Sequence, residues 1–178
     1  FVHVTNKKVL GGSWALHAFV PVLDVDAEIP GFSDDDFGIG DIIVDPFIVG
    51  WHTKNFHCVA GLDCYVPTGS YDSTRLANLG RNYWTFEPIF AFTRISDGGF
   101  EISGKFMYDL NTENRDIDYT SGQEFHFDYA VGQHVGPWIL GVGGYYYQQM
   151  TDDDGAAAPP NGFKGRAIAV GPQVSYSR

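Results

Sequence analysis

Polar and apolar residues alternate at period two through nearly the whole chain, and the spacing of an amphipathic helix is almost absent. In an extended strand successive side chains point to opposite faces, so the pattern predicts strands with one apolar and one polar side. The clearest is Phe100 to Asn111. There Phe100, Ile102, Gly104, Phe106, Tyr108 and Leu110 oppose Glu101, Ser103, Lys105, Asp109 and Asn111, broken only by Met107. Gln123 to Gln133 sets Phe125, Phe127, Tyr129 and Val131 against Glu124, His126 and Asp128. Tyr83 to Ile95 sets Trp84, Phe86, Phe90 and Phe92 against Thr85, Glu87 and Thr93. Phe56 to Pro67 sets Phe56, Cys58, Ala60, Leu62, Cys64 and Val66 against His57, Asp63 and Tyr65.

Less regular strands are predicted over Asp41 to Trp51, with Asp41 and Asp45 on the more polar face, over Pro137 to Gln149, and over Lys164 to Tyr176. A first strand is predicted from about Gly12 to Ala27, with Phe1 to Thr5 as the tail of an earlier one. The count is about eight strands, each close to the length a tilted strand needs to cross hydrocarbon. Connections alternate in length. Short ones fall near Thr53 to Asn55, at Ser96 to Gly99 and near Gln133 to Gly136. Long ones fall at Glu28 to Gly40, Thr68 to Asn82, Thr112 to Gly122 and Met150 to Gly162. Short turns on one rim and long loops on the other is the habit of antiparallel outer-membrane barrels.

Alternation alone does not say which side of a strand meets apolar surroundings. A lipocalin-like soluble barrel turns its apolar side chains inward, and a membrane barrel turns them outward. The polar faces here mix acids and bases, as Glu101 with Lys105, Glu124 with His126, and Asp63 with His57, which suits a wet interior. Aromatic residues make up 16% of the chain and crowd the apolar faces, too many to converge inside a small barrel. Trp51, Trp84, Trp138 and Tyr176 near strand ends suit interfacial girdles. The expected fold is therefore an all-β, antiparallel transmembrane β-barrel, rather than a soluble β-sandwich of shorter strands. No apolar run is long enough for a transmembrane helix, which a barrel would lack as well.

The formal charge of −11 excludes nucleic acid as a partner, because a phosphate backbone needs a basic surface. Residues 1–178 read as one domain. Because the chain opens at Phe1 and closes at Ser177 and Arg178 in strand-like sequence, the domain is expected to be incomplete at both ends. Cys58 and Cys64 would lie roughly 20 Å apart in an extended strand, beyond disulfide reach, and are expected to be free thiols. Pro21, Pro46, Pro88 and Pro172 fit badly inside strands, where proline removes a ladder hydrogen bond, and they are expected to mark bulges or local breaks.

Several stretches resemble one known family: Gly40 to Pro46, Val66 to Tyr71, Leu79 to Pro88, Asp118 to Glu124, Gly143 to Gln149 and Gly171 to Val174. Together they look like the signatures of the bacterial outer-membrane proteins grouped under the meta-pathway of phenol degradation, often described as aromatic-compound transporters. The resemblance covers essentially the whole chain in order. It implies a barrel of about a dozen strands in the outer membrane of Gram-negative bacteria. Its implied activity is porin-like uptake of small hydrophobic or aromatic solutes, with membrane lipid as the surrounding partner.

The residues expected to line such a path are Asp45, His57, Asp63, Glu87, Glu101, Lys105, Asp109, Glu124, His126 and Asp128. Their bland reading is a structural network tying adjacent strands together, since cross-strand charge pairs commonly stabilise sheets. No catalytic residue, metal or cofactor is expected. Ser103, His126 and Asp128 are a poor triad because no nucleophile motif surrounds Ser103. Asp34-Asp35-Asp36 lacks the spacing and central glycine of a calcium loop and reads as solvated charge. Tyr145-Tyr146-Tyr147 could stack an aromatic solute, though such residues more often sit at an interface or fill an interior. A plugged scaffolding barrel that engages another protein is the alternative to a channel.

Overall fold

Strands dominate because β-branched and aromatic residues recur at period two between Gly-, Pro- and Asp-containing turns. The computed structural model describes residues 1–160 and 162–176, and these are all-β and antiparallel, with no helix among them. The elements in chain order are β1 (Val2–Val9), β2 (Gly12–Phe19), β3 (Val22–Ile29), β4 (Phe32–Ile39), β5 (Ile42–His52), β6 (Phe56–Val66) and β7 (Thr85–Ile95). They continue with β8 (Phe100–Asn111), β9 (Tyr119–Thr120), β10 (Glu124–Val135), β11 (Trp138–Gln149), β12 (Asp154–Gly155) and β13 (Arg166–Tyr176). Nine of them pair in one sheet of order β1-β2-β5-β6-β7-β8-β10-β11-β13, each beside its sequence neighbour among those nine. The pairs β3-β4 and β9-β12 stand apart as two-stranded ribbons.

Three expectations change here. The main sheet has nine strands rather than eight, because Val2–Val9 is a full strand and not a tail. It does not close on itself, since β1 and β13 are its two unpaired edges. The strand expected from Gly12 to Ala27 is divided at Val20-Pro21, and Glu28 to Gly40 is largely the return strand of a hairpin rather than a loop. Proline 21 thus lies between strands and not within one. It lacks an N–H to continue the ladder, and its carbonyl accepts instead from Gly40 N at 3.1 Å. Beyond that break the β3-β4 ribbon extends the β2-β5 hairpin past the rim. The strand-like reading of Ser177 and Arg178 lies outside the described residues.

The other prolines behave as breaks of different kinds. Pro46 sits in a bulge of β5, whose register slips by one residue against both β2 and β6. At Pro88 the β7-β8 register is unchanged, but pairing is interrupted between Phe86↔Leu110 and Ile89↔Met107. Pro172 lies on the edge strand β13, where the ladder to β11 continues through Val142 undisturbed, as an edge allows.

Asp34 and Asp36 are not simply solvated charge, which corrects the sequence reading for those two, whereas Asp35 stays exposed. Arg75, in the segment between β6 and β7, donates from Nη2 to Asp34 Oδ1 at 2.8 Å and lies 3.3 Å from Asp36 Oδ2 through Nη1. The backbone N–H groups of Leu76 and Ala77 donate to Asp34 Oδ2, and Ser70 Oγ donates to Asp36. Arg75 and these amides hold the Asp34 carboxyl down at about 2. Asp41 caps the same segment, accepting from Gly69 N and Arg81 N, and so sits outside β5 rather than on its polar face. The segment folds back on itself where Gly69 meets Gly80; a Cβ on Gly69 would lie 2.7 Å from the Gly80 Cα.

Candidate functional site

The register fixes which side chains share a face, and the two faces of the sheet are inverted relative to an ordinary protein. Phe90, Phe106, Phe127 and Tyr146 stand directly opposite one another across β7, β8, β10 and β11. The rings of Phe106, Phe127 and Tyr146 are 5.6 Å apart at each step. This aromatic face is open: Phe90 is 44% exposed and Phe106 38%. Toward the rims Trp138 packs on Tyr176 at 4.8 Å and Trp84 stacks near Phe86 at 6.1 Å.

The opposite face carries the charge and buries four of its carboxylates, while Asp128 stays exposed. Asp63 lies directly opposite Glu87, and Asp109 directly opposite Glu124, which in turn faces Gln149. Glu87 and Asp109 stand opposite each other at the break beside Pro88. Asp45, paired with His17 on β2, extends this acidic row to the bulge of β5. Asp45 is 1% exposed, Glu87 2% and Asp109 7%. His126, one row below, puts its Nε2 3.3 Å from Glu87 Oε2 and 3.4 Å from Asp109 Oδ2. Tyr65, absent from the sequence-based set, donates to Glu87 Oε2 at 3.3 Å from the row above.

All ten expected residues fall on this face, in three groups. The acidic row with His126 is the first. The second is a trough of about 530 Å3 lower on the same face, lined by Lys105 and Asp128, with Thr93, Ser103, Ala130 and Gln173 among the neighbours. Asp128 lies opposite Lys105 in register. Small residues on β8, β10, β11 and β13 leave this space: Ser103, Ala130, Gly143 and Gly171. The third group sits toward the short-turn rim. Glu101 meets His134 Nε2 at 2.6 Å, and the His57 ring lies beside His52 with their Nδ1 atoms 3.1 Å apart. His134 and His52 were missed, as both belong to strand ends where alternation carries little signal.

The structure does not assemble Ser103, His126 and Asp128. The Ser103 hydroxyl donates to Glu101 Oε1 at 2.9 Å and pairs with Thr93 Oγ1 at 2.9 Å, while His126 faces Glu87 and Asp109. Cys58 and Cys64 are free thiols on the aromatic side of β6. Tyr146 joins the aromatic row, whereas Tyr147 packs beside His126 with ring centroids 6.4 Å apart.

A family model described as "Putative MetA-pathway of phenol degradation" matches residues 1–178. A comparison with curated proteins finds no match.

Proposed function

This chain belongs to the family of the "Putative MetA-pathway of phenol degradation", and from that premise we propose that it forms part of an outer-membrane β-barrel through which small aromatic or hydrophobic solutes cross. The observation that carries the reading is the inverted burial. Asp45, Asp63, Glu87 and Asp109 are buried on one face, while Phe90 and Phe106 stand open on the other. In water that arrangement wastes apolar burial and desolvates charge. In a bilayer the aromatic face meets acyl chains and the polar face lines an aqueous interior.

Other features support the same placement. Strands β5 to β8, β10, β11 and β13 have 11 or 12 residues each, enough for a tilted strand to cross hydrocarbon. Trp138 with Tyr176 and Trp84 with Phe86 lie near opposite rims, where amphipathic rings favour the headgroup level. Hydrocarbon does not tolerate unpaired backbone groups, so in the membrane the edges β1 and β13 must both be paired. The trough offers the passage: small side chains leave room, and Lys105, Asp128 and Gln173 keep it wet. Passage needs no bond-making chemistry and no cofactor.

The scaffolding alternative draws on the acidic row, whose buried side chains fill the polar face near the long-loop rim. Flux separates the two. Reconstituted in liposomes, the full-length protein is expected to admit phenol and toluene faster than protein-free vesicles do. Insertion without any flux would favour the scaffold, and failure to insert would remove the membrane reading altogether.

A further inference from the structure

Glu87 on β7, Asp109 on β8 and His126 on β10 converge on one point of the polar face, and one donor atom from each lies within 4.8 Å of the others. His126 Nε2 lies within ion-pair distance of both carboxylates, yet the cluster is left with unmet hydrogen bonds. His126 Nε2 and Asp109 Oδ1 are both shielded from solvent, and neither has a hydrogen-bond partner among the described residues. Asp109 itself is more than nine-tenths buried. A buried carboxylate oxygen left unpaired is costly. The neighbours worsen the imbalance. Glu124 is directly opposite Asp109, and Asp63, whose Oδ1 is also buried and unpaired, is directly opposite Glu87. Like charges facing one another across a ladder destabilise it.

We propose that Glu87, Asp109 and His126 bind a divalent transition-metal cation, Zn2+ foremost. The spacing suits it. Tetrahedral ligands at about 2.1 Å from a metal lie about 3.4 Å from one another. His126 Nε2 stands 3.3 Å and 3.4 Å from the two carboxylate oxygens. The donor set also discriminates. Mg2+ and Ca2+ prefer shells of oxygen alone, whereas one imidazole with two carboxylates suits the borderline first-row ions.

A cation here does structural work at a defined weak point. The β7-β8 ladder is broken beside Pro88, at the level where Glu87 and Asp109 face each other. A metal bridging these two strands and β10 replaces the cross-links that proline removes, and its charge offsets the two carboxylates. Because the three residues lie on three different strands, nothing in their sequence spacing announces the site.

The test uses the folded full-length chain in detergent, stripped with a chelator and titrated with Zn2+ by calorimetry, with bound metal counted by elemental analysis. One Zn2+ per chain is expected, together with a rise in Tm that chelator reverses. Glu87→Gln, Asp109→Asn and His126→Gln should each weaken binding by at least about tenfold. His57→Gln, which disrupts the separate pair of His52 and His57, should leave it intact. No stoichiometric binding overturns the proposal, and so does binding that survives all three site variants or disappears with His57→Gln. Should the site variants fail to fold, Co2+ bound to the unaltered chain decides instead. A tetrahedral visible spectrum supports the site, and a six-coordinate one rejects it.

Discussion

The two faces of this sheet are made from the same strands, yet they obey opposite rules. On one, Phe90, Phe106, Phe127 and Tyr146 form a row of rings, with Phe90 and Phe106 exposed. On the other, Asp45, Glu87 and Asp109 are nearly sealed from solvent. The lesson is that a two-residue period fixes the sorting of side chains but not the solvent each set prefers. Only the accessibility of the two sets distinguishes a membrane-facing surface from a core.

That contrast can be broken at its most sensitive point first. His126 is the group that lies between Glu87 and Asp109. Replacing it with alanine leaves two buried carboxylates facing each other, and a loss of about 3–5 kcal/mol is expected in urea unfolding. A cost near zero would mean that the row is wetter than its burial implies. The aromatic side is probed by Phe106→Arg. Near mid-bilayer the substitution should cost about 2–4 kcal/mol in lipid, whereas on a water-facing surface it should stay within about 0.5 kcal/mol. Unfolding measured from liposomes separates the two.

The trough gives a functional counterpart. Ala130→Trp fills the space beside Ser103 and Gln173 and should lower phenol flux several-fold with little change in Tm. Unchanged flux would place the path elsewhere. The smallest effect is expected at the rim. Asp34, held at about 2 against an ordinary 3.8 by Arg75, has a lowered folded-state pKa. Its contribution is therefore complete above the ordinary value and is lost as pH falls toward about 2. Asp34→Asn should speed amide exchange at Leu76 and Ala77 near neutrality, and the difference from the unaltered chain should vanish at the acid end.

How much of this was legible in the sequence depended on how local each feature is. Strands such as Phe100–Asn111 and Phe56–Val66 lie where alternation placed them, because one phase runs along each, interrupted in the first only at Met107. Gly12 to Ala27 was misread as one strand because the β3-β4 ribbon repeats the alternation beyond Pro21, and only pairing reveals the break. Val2–Val9 was underestimated because Asn6, Lys7 and Lys8 dilute its pattern. The ten polar-face residues could be chosen by phase alone. Their division into an acidic row, a trough and a rim could not, since it follows from which strands are neighbours. Asp34-Asp35-Asp36 looked like free charge because its partner, Arg75, lies some forty residues on.

The extra residue at Pro46 has its own arithmetic. Before it, odd-numbered positions of β5 such as Ile43 and Asp45 share the side of Tyr65 and Asp63; after it, the odd-numbered Val49 and Trp51 are paired with Ala60 and Cys58 on the other side. One inserted peptide unit thus works as a phase inverter, letting a single ribbon deliver an acid inward at one end and an indole outward at the other. Excising Pro46 would force a choice: Trp51 rotated into the charged side, or Asp45 thrust into the greasy one.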